Sequence, residues 1–188
     1  MALKLHTTPI NEMPALTPYA LTVSELETYA DEIIQHVSRY RPEYARLVRL
    51  QRKAGNRITE MFQPERWTFP RSGNIQIQPQ KGNATRVLSL RDIGFDNEAA
   101  MRPVLADMAR LPKGQYERAF SKAVAAVGLW RLYESGFTHP SSHFFRHLRI
   151  KELKTENFSN EFIANWIGEK QVSNLDYYFN SQFFAEVS

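Results

Sequence analysis

The chain has 188 residues, 43% of them apolar, and its 24 Lys and Arg against 20 Asp and Glu give a formal net charge of +4. This suits one domain with a genuine core, and the mild basic excess permits a nucleic-acid partner. No apolar run of membrane-spanning length and no leader-like start is present, so a soluble, cytoplasmic protein with no membrane partner is expected, and the lack of cysteine excludes disulfides and thiolate metal sites.

Residues 1–21 carry three prolines and no sustained period, which predicts an arm or linker ahead of a folded unit at 22–188. Thr22 and Ser24 offer alternative capping boxes with Glu25 or Glu27, and Leu26, Tyr29, Ala30, Ile33, Ile34 and Val37 follow at helical spacing. Arg41-Pro42 interrupts, because proline disfavours helical backbone in the residue before it and suits a first helical turn. A second helix is predicted from Pro42 to Ala54, stopped by Gly55 in a left-handed conformation. The basic residues crowded into Arg39–Arg57 read as a solvated helix face.

From Trp67 to Leu90 the period becomes two. Trp67/Phe69, Ile75/Ile77 and Val87/Leu90 sit in short segments parted by Ser72-Gly73-Asn74 and Lys81-Gly82-Asn83, so a small antiparallel sheet of three strands is expected. Asn97 is placed to cap a helix from Glu98 to Arg110, with Pro103 in its first turns or at a kink. Tyr116 to Leu132 reads as one or two helices, with Gly128 as a break. Ser141 or Ser142 can cap a helix carrying His143-Phe144-Phe145-Arg146-His147. Ser159 or Asn160 then caps an amphipathic segment (Phe162, Ile163, Trp166, Ile167) ended by Gly168, and Tyr177-Tyr178 lie on the next short helix. Phe179, Phe183 and Phe184 are too apolar for water and are expected to pack on the chain's own core or on another protomer. The expected fold class is mainly α with a small three-stranded antiparallel β-sheet, α+β.

Four strings stand out. Gly55-Asn56-Arg57-Ile58-Thr59-Glu60 follows a helix break; Lys81 lies at a hairpin with Arg86 five residues on; His143-x-x-Arg146 opens a helix; and Tyr178 lies ten residues past Gly168. In this order and spacing they resemble the tyrosine recombinase (phage integrase) superfamily, whose catalytic domain carries a G-L-R-x-S-E-L box, a hairpin K-x-x-x-x-R, H-x-L-R-H, L-G-H and a nucleophilic tyrosine. The resemblance covers residues 55–178 and implies the roles. Arg57 and Arg146 would hold a phosphodiester, since guanidinium groups are planar, always charged and bind phosphate oxygens bidentately. Tyr178 would attack phosphorus and hold the strand as a 3′-phosphotyrosyl ester. His143 would serve as proton acceptor or phosphate donor, and Lys81 would protonate the leaving 5′ oxygen.

The resemblance also implies double-stranded DNA as partner, a homo-tetramer on that DNA, and no metal or other cofactor. A type IB topoisomerase or telomere resolvase would share the chemistry, and a DNA-binding regulatory derivative would share the fold without it. The sequence departs from the pattern in two places. Only residues 1–21 stand where the family has an N-terminal DNA-clamping domain, which suits an excised catalytic domain, a minimal enzyme or a non-cutting derivative. Glu169 stands where the family has His or Trp, and an ionised carboxylate donates no hydrogen bond. Glu169 is kept as a site residue that either pairs with Arg57, Arg146 or Lys170 and orients them, takes a proton in the closed complex, or points away.

Overall fold

The computed structural model describes residues 22–79, 83–129 and 143–179, and in these seven α-helices surround one small sheet. The arm at 1–21, Lys81, the Ser141/Ser142 cap and the tail from residue 180 lie outside the described residues.

Helix α1 (Val23–Tyr40) uses the Thr22 box: Glu25 N donates to Thr22 Oγ1 at 3.2 Å and Thr22 N donates to Glu25 Oε2 at 2.8 Å. Leu26, Ala30, Ile33 and Val37 form its buried stripe. The predicted second helix begins as a 3-10 turn, Pro42–Tyr44, before α2 (Ala45–Ala54), because the ring of Pro42 suits only a first turn. Helix α4 (Lys113–Ala126) packs on α1, and α5 (His143–Thr155) packs on α2. The predicted stretch from Tyr116 starts earlier, as the helix Lys113–Ala126, with Gly128 just past its end at φ 76°; the rest of that stretch, 130–132, lies outside the described residues. The shared core is aromatic at its centre, where buried Phe120 meets buried Phe145 edge-on at 5.1 Å. Burial of each such side chain stabilises the fold by about 1.5–3 kcal/mol.

The sheet has the order β1-β2-β3, with β1 (Trp67–Thr68), β2 (Asn74–Ile77) and β3 (Arg86–Ser89) antiparallel throughout. Trp67 pairs with Ile77, and Ile77 with Arg86. In the third strand Val87 is 54% exposed, and strand alternation turns Arg86 and Leu88 inward, with Leu90 buried just past the strand. Helix α3 (Glu98–Arg110) is capped by Asn97, whose Oδ1 accepts from Ala100 N at 3.0 Å, and keeps Pro103 inside it. Helix α6 (Asn160–Ile167) is capped by Ser159 and lies on β3; α7 (Leu175–Phe179) lies against α5. The basic run of Arg39–Arg57 is not one solvated face, since the half-buried Arg52 is tied up in an ion pair with Glu152.

Candidate functional site

Two tight turns and two helices meet at one point. The turn after α2 supplies Arg57, α5 supplies Arg146, the turn after α6 supplies Glu169, and α7 supplies Tyr178. Glu169 Oε1 accepts from Nη2 of both Arg57 and Arg146, the latter at 2.7 Å. Arg146 Nε donates to the Tyr178 hydroxyl at 3.2 Å, and Arg146 Nη1 donates to Gly55 O at 3.2 Å. Glu169 Oε2 accepts from Asn174 Nδ2 at 3.3 Å.

Glycine makes this approach possible twice. At Gly55 (φ 65°) a Cβ would stand 3.3 Å from Arg149 Cβ, so α5 can come this close only to a glycine. At Gly168 (φ 74°) a Cβ would stand 3.0 Å from Ala84 O, and the left-handed residue ends α6 and turns Glu169 inward. Glu60 then secures the Arg57 turn: its Oε2 accepts from Arg57 N at 2.9 Å, and its Oε1 lies 3.7 Å from Arg57 Nη1.

Charge in the site is nearly balanced. Arg146 is fully buried, Arg57 is partly open to solvent, and burial of Arg86 beside them lowers its pKa to about 10, with Glu60 opposing and Arg146 and Arg57 adding to the fall. Burial pushes the Glu169 carboxyl up, but the hydrogen bond and charge of Arg146, then the charge of Arg57 and the Asn174 hydrogen bond, bring it below the ordinary carboxylate value. It is therefore an anion at neutral pH. His143 opens α5 at the exposed rim, and desolvation, then Arg146 and Arg57, hold its pKa below the usual value. His147 lies deeper, 4.7 Å ring to ring from Tyr178, and burial followed by His143 and Arg146 lowers its pKa to about 4.

The structure thus brings Arg57, Arg146, Glu169 and Tyr178 together, with His143 one turn before Arg146 on the same helix. In the free protein Glu169 pairs with both arginines. The alternative of pointing away is corrected, since the Gly168 turn directs the carboxylate inward, and Lys170 is exposed. Sequence reasoning passed over His147, Asn174 and the inward role of Arg86. The doubled motif H-x-x-R-H and the hairpin K-x-x-x-x-R were their only local signals. Among the described residues no group of His, Asp and Glu is arranged to hold a metal ion, and no helix is long and apolar enough to cross a membrane.

The fold is that of the tyrosine recombinase catalytic domain. The particular likenesses are to XerA recombinase (TM-score 0.58, 16% identity, 91% of this chain and 61% of that one); to the XerH site-specific recombinase on its palindromic difH substrate after cleavage (0.55, 16%, 88% and 51%); and to a lambda integrase dimer on a COC′ core site (0.54, 17%, 85% and 47%). At such identities the likeness is one of fold. The chain spans only about half to three fifths of the length of these proteins. No protein-family model and no curated protein matches its sequence.

Proposed function

We propose that the protein is a site-specific DNA strand transferase, cleaving and rejoining DNA through Tyr178. One observation carries this reading: a tyrosine hydroxyl 3.2 Å from the Nε of a buried arginine that shares its anionic partner with a second arginine. An anion already bridges the two guanidinium groups, so the same pair can bridge two oxygens of a phosphodiester. In the step proposed, Tyr178 Oη forms a bond to phosphorus and loses its proton to His143 or to solvent. The bond from phosphorus to the 5′ oxygen breaks, and that oxygen takes a proton from Lys81. The 3′-phosphotyrosyl ester conserves the bond energy, and attack by a 5′ hydroxyl reverses every transfer. Arg57 and Arg146 stabilise the charge that builds on the non-bridging oxygens. Double-stranded DNA is the partner, and assembly as a tetramer on that DNA is part of the reading.

Glu169 positions the two arginines in the free protein and must yield to the phosphate. Left in place within ~4 Å of a phosphodiester it would cost about 4 kcal/mol at an effective dielectric near 20. The same occupied seat favours a second reading, a DNA-binding derivative that does not cut. Nicked duplexes carrying candidate sites, followed by denaturing electrophoresis, separate the two. A covalent protein–DNA adduct that Tyr178→Phe lacks supports strand transfer; binding without adduct on every substrate supports the second reading.

A further inference from the structure

Arg86 closes the hairpin string yet has no part in the step proposed above, and its side chain is among the most enclosed of the described residues, 2% exposed. Its Nη2 donates to Asn56 Oδ1 and, at 2.8 Å, to Glu60 Oε2; its Nη1 donates to Trp166 O at 2.9 Å, with Ala54 O at 3.5 Å. These acceptors belong to two separate pieces of chain. Asn56 and Glu60 flank Arg57, and Glu60 Oε2 also accepts from Arg57 N. Trp166 lies two residues before the Gly168 turn that aims Glu169, and the Arg86 side chain lines that turn, its Cδ standing 3.4 Å from where a Gly168 Cβ would be. The third piece is β3 itself, which leads back to the hairpin; there Ala84 N donates to Gly168 O at 3.1 Å.

A core of this size could fill the position with leucine or methionine at less cost, since burying a charge is expensive and apolar replacements of buried ion pairs are often neutral or better. An arginine does what those cannot: its planar fork reaches several acceptors on different segments at once. We infer that Arg86 is the positioning residue of the site, the one group that holds the Arg57 turn, the Glu169 turn and the hairpin strand in mutual register. It touches no phosphate and acts through Glu60, Asn56 and the end of α6. A lysine keeps the charge but has no fork, so charge alone does not replace it.

The rate arm of the test rests on the strand-transfer reading; the exchange arm does not. Arg86→Lys is made in the full chain, and three quantities are followed: melting temperature, duplex affinity, and the rate of adduct formation on a nicked duplex that the wild type attacks. Misplacement of reacting groups by about 1 Å costs on the order of 100-fold in rate. The expected result is a loss of that size, read well below a lowered melting temperature, with duplex affinity close to wild type. In parallel, hydrogen exchange at the Arg57 and Ala84 amides, whose acceptors Arg86 organises, speeds up while amides of the α1 stripe keep their protection. A lysine variant that cleaves at the wild-type rate, or that leaves both amides as protected as before, overturns the inference. Should Arg86→Lys fail to fold, Asn56→Ser draws the Asn56 acceptor back from Arg86, at the added loss of its Nδ2 contact to Met61 Sδ, and must speed exchange at Arg57; unchanged exchange there is equally fatal. If the wild type forms no adduct on any duplex, the strand-transfer reading falls, and the exchange arm still decides the role of Arg86.

Discussion

Two clusters of one carboxylate between two arginines lie side by side in this protein, built largely on the same helices. In the first, Glu152 receives Arg52 on both oxygens, Oε2 at 3.0 Å, and Arg149 at 3.2 Å. In the second, Glu169 receives Arg57 and Arg146 on a single oxygen, and only Asn174 attends the other. Arg146 and Arg149 are one turn apart on α5, and the carboxyls of both clusters are held below their ordinary pKa by their arginines against the opposing effect of burial. The difference is the tether. Glu152 stands on α5 three residues after Arg149, so the helix fixes carboxylate and cation together. Glu169 hangs from a left-handed glycine in a link between α6 and a 3-10 turn, Val172–Asn174. The same charge chemistry makes a clamp when both partners are framed by helices. On the function proposed, the anion carried on a turn is the one that a phosphate displaces.

The largest effect expected is at the second cluster. Tyr178→Phe abolishes the covalent adduct and leaves duplex binding nearly intact, read by denaturing gel and by gel shift; Tyr177→Phe leaves the adduct in place. Loss of the adduct in Tyr177→Phe alone would move the nucleophile by one residue.

Next comes the contrast between the carboxylates. Glu152→Ala strands two largely buried cations and is expected to cost about 3–5 kcal/mol by urea unfolding. Glu169→Gln also leaves its arginines short of charge, but here an outside anion can take the place. Inorganic phosphate should therefore raise the melting temperature of Glu169→Gln more than that of the wild type, and do nothing comparable for Glu152→Ala. Equal responses in the two variants would erase the distinction between clamp and seat. The clamp also has its own pH signature. With a depressed carboxyl pKa, its contribution is present above the ordinary value of 4.5 and is lost as acid carries the protein down through the folded value, so Glu152→Gln should flatten the unfolding profile in that range.

His147 gives an effect of similar size in another window. Its pKa is lowered from 6.5 to about 4, so the unfolded chain binds the proton more readily and stability falls as pH drops from 6.5 towards 4. The loss corresponds to about 3 kcal/mol. Unfolding of His147→Gln across this window should lack most of it. The smallest effect is Gly168→Ala, where the left-handed backbone costs about 1–2 kcal/mol, with some further strain from the 3.0 Å approach to Ala84 O. Adduct formation should fall by more than stability does, because the turn that aims Glu169 and touches Arg86 is displaced.

Much of this molecule was legible in its sequence because much of it is local. A Thr22–Glu25 box, an apolar stripe at helical spacing, a Gly55 stop and the cap at Ser159 each depend on residues within a few positions of one another. The four strings that suggested a phosphate site were legible for the same reason, as motifs attached to helix ends and turns. What no local pattern contained was direction. Val87 is the apolar neighbour that faces out, and Arg86 turns inward with Leu88, because a buried carboxylate and three further acceptors await the guanidinium from Ala54, Asn56, Glu60 and Trp166. Arg52 looked like one solvated charge among several, and it is half-buried because Glu152, a hundred residues on, faces it across α2 and α5. Glu169 could pair or point away, and only the fold shows Arg57 and Arg146 meeting on one of its oxygens. Periodicity and capping are settled between neighbours in the chain. The sign and placement of a buried charge are settled by partners that only the folded chain brings near, since each must find its counterion to leave water at all.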